Sequence, residues 1–223
     1  MNQHTIRGLE RYGSYQPSRT GILLVDPYND FLHPDGKAYI RSKEVIEGVR
    51  LLYNMATVIQ TAREMKMQIY YVPHHHSEPN DFANWKYPNA LQLATAERQV
   101  FAKGSWGGQF HDDFKPQQGD IIIKEHWGSS GFANTDLDEQ LKQHDTDKII
   151  LIGMIANTCI EATGRFGMEL GYHVTLVRDA IAANTWENMH ATLEINGPNY
   201  AHAILSTGEL LELLQSNPVS VNQ

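Results

Sequence analysis

The stretch from Lys148 to Asp179, KIILIGMIANTCIEATGRFGMELGYHVTLVRD, constrains the fold most, because it reads as strand, helix and strand within one short span. Ile149, Ile150, Leu151 and Ile152 form an aliphatic run bounded by Gly153, the pattern of a parallel strand buried on both faces. Thr158 stands three residues before Glu161, which is capping-box spacing and predicts a helix with Thr158 as N-cap and Cys159 as its first residue. Gly171 suits the position just past the helix end, and Val174 to Val177 supplies the next strand of a right-handed βαβ unit. Parallel strands need a crossover of this kind, so the unit commits the chain to an α/β sheet.

The same alternation runs through the rest of the chain. Gly21 to Val25, Gln68 to Val72, Asp120 to Ile123 and Ala203 to Leu205 are short apolar strands. With the two already named they predict a three-layer, doubly wound α/β sheet of about six mostly parallel strands, with helices on both faces. Between Ser42 and Met67, residues Val45, Ile46, Val49, Leu52, Met55, Ile59 and Ala62 recur at helical spacing, which predicts one long helix. Further helices are expected from Thr135, over Ala180 to Ile195, and from Thr207. Residues 1–19 read as an irregular arm, 20–216 as a single domain and 217–223 as a tail.

Composition narrows the function. A chain of 223 residues fits one α/β domain that buries a large core without disulfides. Its single cysteine cannot form an internal disulfide, and MNQHTIRGLERYGSYQPS lacks an apolar leader, so a reducing, cytoplasmic setting is expected. The formal charge of -8 argues against nucleic acid and anionic membranes. No apolar run approaches the roughly 20 residues that cross a bilayer. Small molecules and sister subunits are the expected partners.

Three chemistry-bearing residues fall at strand ends. Cys159 lies just past the carboxyl end of a parallel strand, where open α/β sheets place their sites, and a helix start there favours a thiolate. A lone cysteine otherwise serves as a small buried hydrophobe. Asp26 ends the first strand before Pro27, and Lys124 ends the third, so an acid, an ammonium and a thiol share one sheet edge. Asp30 and Asp35 follow in a loop, where Asp35 reads as a turn former. The second strand emerges into Pro73, His74, His75 and His76. His74 and His76 face one side of an extended chain and are candidates either for zinc, which needs three or four ligands, or for substrate and loop contacts. From Ser77 to Gly119, Phe82, Trp85, Tyr87, Trp106, Phe110 and Phe114 alternate with glycines, the composition of a lid or pocket wall and equally of a packed loop.

Three segments in order, LLVDPYNDF around Asp26, GSWGGQFHDDFKP leading into IIIKEHWGSSGF around Lys124, and GMIANTCIEATGRFGMELGY around Cys159, resemble the isochorismatase-like cysteine hydrolases. That family includes nicotinamidases and other small-amide hydrolases, and the likeness spans Gly21 to Leu214. The resemblance implies a catalytic triad of Asp26, Lys124 and Cys159, and an oxyanion hole from the backbone N–H groups of Ile155 and Cys159. It also implies a cis peptide from Met154 to Ile155, and a homodimer or homotetramer. Zinc-dependent nicotinamidases carry Asp-x-His after the second strand, where this chain has three histidines, so no cofactor is expected, with zinc on His74 and His76 as the alternative. A cysteine at this position, in place of a small residue, implies C–N cleavage of a small amide through a thioester acyl-enzyme. Phe31, His76, Trp85, Trp106 and Trp127 are the expected pocket wall. The competing readings are a zinc-dependent nicotinamidase-like hydrolase and a non-catalytic α/β protein that binds a small molecule.

Overall fold

The computed structural model describes residues 14–216. Six strands, β1 (Thr20–Val25), β2 (Gln68–Val72), β3 (Ile121–Ile122), β4 (Lys148–Met154), β5 (His173–Ala182) and β6 (Ala203–Leu205), form one sheet in the order β3-β2-β1-β4-β5-β6. Every neighbouring pair is parallel. The helices are α1 (Asn29–Leu32), α2 (Tyr39–Gly48), α3 (Leu51–Glu64), α4 (Ala90–Arg98), α5 (Leu137–Gln143), α6 (Glu161–Glu169), α7 (Trp186–His190) and α8 (Thr207–Gln215).

This order places the site. The chain winds outward from β1 to β3, then returns to lay β4 on the other side of β1, so the winding reverses between β1 and β4. Helices diverge there, and a crevice opens beyond the carboxyl ends of the two strands. All residues of β1 are buried, as are Ile149 to Met154 of β4. The two strands pair from Thr20 with Lys148 to Val25 with Gly153. At that last pair Gly153 has φ 114°. A Cβ there would overlap the Val25 carbonyl, so glycine is what lets the central strands close up just before the site.

Four boundaries differ from the sequence reading. The long helix expected over Ser42 to Met67 is two, broken where Arg50 takes φ 55°. Asn54 Nδ2 donates to the freed carbonyl of Val49 (2.7 Å) and to that of Asp179 (3.0 Å). The Trp186 ring packs where Gly48 has no side chain, and this fixes the bend. Strand β5 runs on to Ala182, so the helix expected from Ala180 starts at Trp186, capped by Thr185. Ser206, with Glu209, caps α8 in place of Thr207. Asp136 holds the N-cap position of α5, while Thr135 Oγ1 accepts the Leu137 N–H (3.2 Å).

Of the expected arm, residues 1–13 lie outside the described residues, and so does the tail, 217–223. Tyr15 is buried and its hydroxyl meets Thr175 Oγ1 at 2.7 Å. Among the described residues no helix is long and apolar enough to cross a membrane.

Candidate active site

Strand β4 ends at Met154, the peptide to Ile155 is cis, and the chain enters a wide π-type turn over Ala156–Ile160 that continues into α6. The helical path therefore begins before Thr158, which is not its cap. Its Oγ1 instead reaches the Ile155 carbonyl (3.4 Å) and Cys159 Sγ (3.8 Å). Cys159 is 7% exposed, and the Ile155 N–H points at its sulfur. Burial, then the Asp26 carboxylate beside it, push the thiol well above its ordinary pKa. Both influences favour the protonated thiol, opposite to the direction expected from a helix start.

Asp26 supplies that acceptor. It follows β1 with φ 51°, is fully buried, and its backbone N–H donates to the Val72 carbonyl (3.1 Å). Oδ1 meets His126 Nε2 at 3.1 Å, while Oδ2 has no hydrogen-bond partner among the described protein groups. An orphaned buried carboxylate oxygen is costly, and a proton from the neighbouring thiol would remove the cost. One ligand-type atom from each of Asp26, His126 and Cys159 lies within 4.8 Å of the others.

His126 was missed by sequence reasoning. It is 1% exposed, and its Nδ1 sits 3.0 Å from the Gly128 carbonyl. Nδ1 thus faces a carbonyl and Nε2 a carboxyl group, surroundings that favour the imidazolium over the neutral ring. Burial alone would depress its pKa, yet the charge and hydrogen bond of Asp26, helped by Gly128 and Glu125, raise it above the ordinary value.

Lys124, the expected third member, is exposed and does not line the cavity. Its backbone N–H donates to Asp136 Oδ1 (2.8 Å). The reason is a slip of register. Tyr70 and Tyr71 pair with Ile121 and Ile122, but His74 pairs with His126, so β3 has gained one residue before it reaches the site. A one-residue slip exchanges the faces of all later side chains. Ile123 is buried, Lys124 turns out to solvent, and His126 turns in toward Asp26.

The histidines after β2 are held in place by protein groups. His76 Nδ1 pairs with Glu125 Oε1 in a short contact, and its Nε2 meets the Gly108 carbonyl (2.8 Å). His75 lies between Glu125 (3.1 Å) and Asp81 (3.0 Å) and stacks on Trp127 with ring centres 3.5 Å apart. His74 Nδ1 contacts the His75 carbonyl (2.9 Å), and its ring stands edge-on to His126 at 5.1 Å. Burial lowers the His74 pKa. With both nitrogens of His76 engaged, His74 and His76 do not fit a zinc pair.

A cavity of about 140 Å³ opens above these groups, similar in size to one that accepts benzene. Asp26, His74, Ile155, Thr158 and Cys159 line its floor side, and Phe31, Arg41, Leu91, Phe101 and Asn184 are among its walls. Phe31 is thus placed as expected, whereas His76, Trp85, Trp106 and Trp127 are not in the lining. Trp85 and Trp127 stack on each other outside it, and Trp106 stands edge-on to His33 at 4.8 Å. Asp30, buried, accepts backbone N–H groups of Lys37 (2.9 Å) and Phe101 (2.7 Å), which ties the loop carrying Phe101 to α1.

A buried acid, imidazole and thiol at the switch point of a parallel sheet define an α/β protein with a cysteine-hydrolase type of site. The Isochorismatase domain model matches residues 20–206, and the chain belongs to the isochorismatase family. It is 28% identical to a ureidoacrylate amidohydrolase, RutB, of Caulobacter segnis, covering 74% of this chain and 72% of the relative. Among solved structures, a cysteine hydrolase from Pseudomonas syringae pv. phaseolicola superposes with a TM-score of 0.77 at 25% identity, covering 92% of this chain and 96% of that one. N-carbamoylsarcosine amidase from Thermoplasma acidophilum shares the fold with a TM-score of 0.64 at 24% identity, covering 86% of this chain and 98% of that one.

Proposed function

We propose that this chain is a metal-independent cysteine hydrolase that cleaves a C–N bond of a small amide or ureide, with Cys159 as nucleophile, Asp26 as acid and base, and His126 as the buried cation. The observation that carries the reading is the convergence of these three side chains within 4.8 Å of one another, with Asp26 and Cys159 lining one cavity and the buried His126 bonded to Asp26. Similarity to amidohydrolases supports the choice of bond.

The first half-reaction begins as Sγ attacks the carbonyl carbon and the thiol proton passes to Asp26 Oδ2. The backbone N–H groups of Ile155 and Cys159 hold the oxyanion, where one donor is typically worth about 3 kcal/mol. Collapse breaks the C–N bond, Asp26 returns the proton to the leaving nitrogen, and a thioester remains. Water then attacks with Asp26 as base, the C–S bond breaks, and the sulfur regains its proton from Asp26. Throughout, His126 keeps the carboxylate oriented and balances its charge.

A second reading has one specific observation in its favour: Asp26, His126 and Cys159 have the spacing of a metal-ligand set. Binding there would require His126 to give up the Nε2 proton that faces Asp26, and elemental analysis of purified protein distinguishes the two readings. The resemblance also implies a homodimer or homotetramer, and exposed Tyr87 and Leu93 offer apolar surface for such a contact.

The test is mass spectrometry of protein quenched during turnover of small amides and ureides. An acyl adduct on Cys159, absent from Cys159→Ala, is expected. Turnover with no adduct, and undiminished in Cys159→Ala, would overturn the assignment.

A further inference from the structure

Apart from the paired Asp26, the charged side chain lining the cavity is Arg41, on the first turn of α2. That turn carries no acidic residue. Arg41 is exposed, and no ion pair or side-chain hydrogen bond holds its guanidinium among the described residues. Neighbouring cations are engaged: Lys37 Nζ donates to the Gln99 carbonyl (2.6 Å), and Lys43 lies 3.9 Å from Glu47. Asp26 is bonded to His126, so the cation a ligand in the cavity meets is Arg41, in a chain whose formal charge is -8.

The next residue adds a second donor. Ser42 is buried, and its hydroxyl donates to Asn184 Oδ1 at 2.8 Å. That bond occupies the amide oxygen and leaves the NH₂ group of Asn184, another cavity residue, for a ligand. A guanidinium fork and an amide NH₂ lining the same cavity supply the donors that the two oxygens of a carboxylate accept from.

We propose that Arg41 and Asn184 form a carboxylate subsite at the cavity rim, so that the substrate is an amide or ureide bearing a free carboxylate. The proposal rests on the hydrolase reading above and names its substrate class. The reacting carbonyl lies at Cys159, and the carboxylate reaches Arg41 at the open side. Phe31, Leu91 and Phe101 cover the apolar atoms between them.

The test uses 3-ureidopropanoate and its neutral amide, 3-ureidopropanamide, which share one ureido group. Calorimetric titration of Cys159→Ala, which blocks turnover, should show the acid binding at least about tenfold more tightly than the amide. In Cys159→Ala/Arg41→Gln that preference should vanish, and in Cys159→Ala/Arg41→Lys part of it should return, since lysine keeps the charge without the fork. Equal binding of the two compounds, a preference that survives Arg41→Gln, or binding of neither would overturn the subsite. Ammonia release by the wild-type protein reads the hydrolase assignment separately. Hydrolysis of both compounds without an acid preference breaks only the subsite, and an acid preference in binding without ammonia from either breaks only the hydrolase reading.

Discussion

Strands β1 and β4 pair residue for residue from Thr20 with Lys148 to Val25 with Gly153 before delivering Asp26 and the Cys159 turn, whereas β3 pairs with β2 through two residues and then slips by one before delivering His126. The central pair is buried on both faces, so any shift there would expose aliphatic side chains, and its register is fixed. The edge strand has one free side and tolerates an extra residue. Position along a central strand therefore translates directly into position in the site, and position along the edge strand does not.

The largest expected effect breaks the central half. Cys159→Ala should lower turnover at least about 10³-fold with the fold intact, since a nucleophile is lost and only binding and oxyanion stabilisation remain. Next comes Gly153→Ala, which forces a Cβ onto the Val25 carbonyl at φ 114° and should cost on the order of 3 kcal/mol in chemical denaturation. An unchanged midpoint would mean that the central strands are not held as closely as described. His126→Ala, on the edge half, should lower kcat roughly 10²-fold by removing the cation that orients Asp26. If kcat were unchanged, the edge strand would contribute scaffold alone.

The same contrast explains what was legible in the sequence. The aliphatic runs, the Gly171 stop and the order of the three motif segments led to the sheet, the family and the positions of Asp26 and Cys159, because burial on both faces leaves a composition that cannot be mistaken. Lys124 ends the apolar run of the third strand and so reads as the site cation, while the register slip of one residue that brings His126 in leaves no compositional mark. The pocket wall failed for a related reason. Trp85, Trp106 and Trp127 looked like lining by composition, yet Trp85 and Trp127 stack on each other, Trp127 also stacks on His75, and Trp106 stands edge-on to His33, all outside the cavity lining. Arg41 and Asn184 come from segments far apart in the chain, and nothing local signals their meeting. The break at Arg50 had a usable cue in Gly48, where the Trp186 ring needs the space.

The central claim is that His126, and not Lys124, is the buried cation beside Asp26. Its pKa is raised above the usual histidine value, so the imidazolium contributes fully at lower pH and is lost as pH rises through the raised value. The direct measurement is kcat against pH for wild type, His126→Lys and Lys124→Ala on one substrate. The account predicts an alkaline limb in the wild type that moves to higher pH in His126→Lys, because lysine holds its proton to about pH 10 in water. Lys124→Ala should superpose on the wild-type profile within about twofold, as expected for an exposed side chain. A profile unmoved by His126→Lys, together with activity lost in Lys124→Ala, would contradict it.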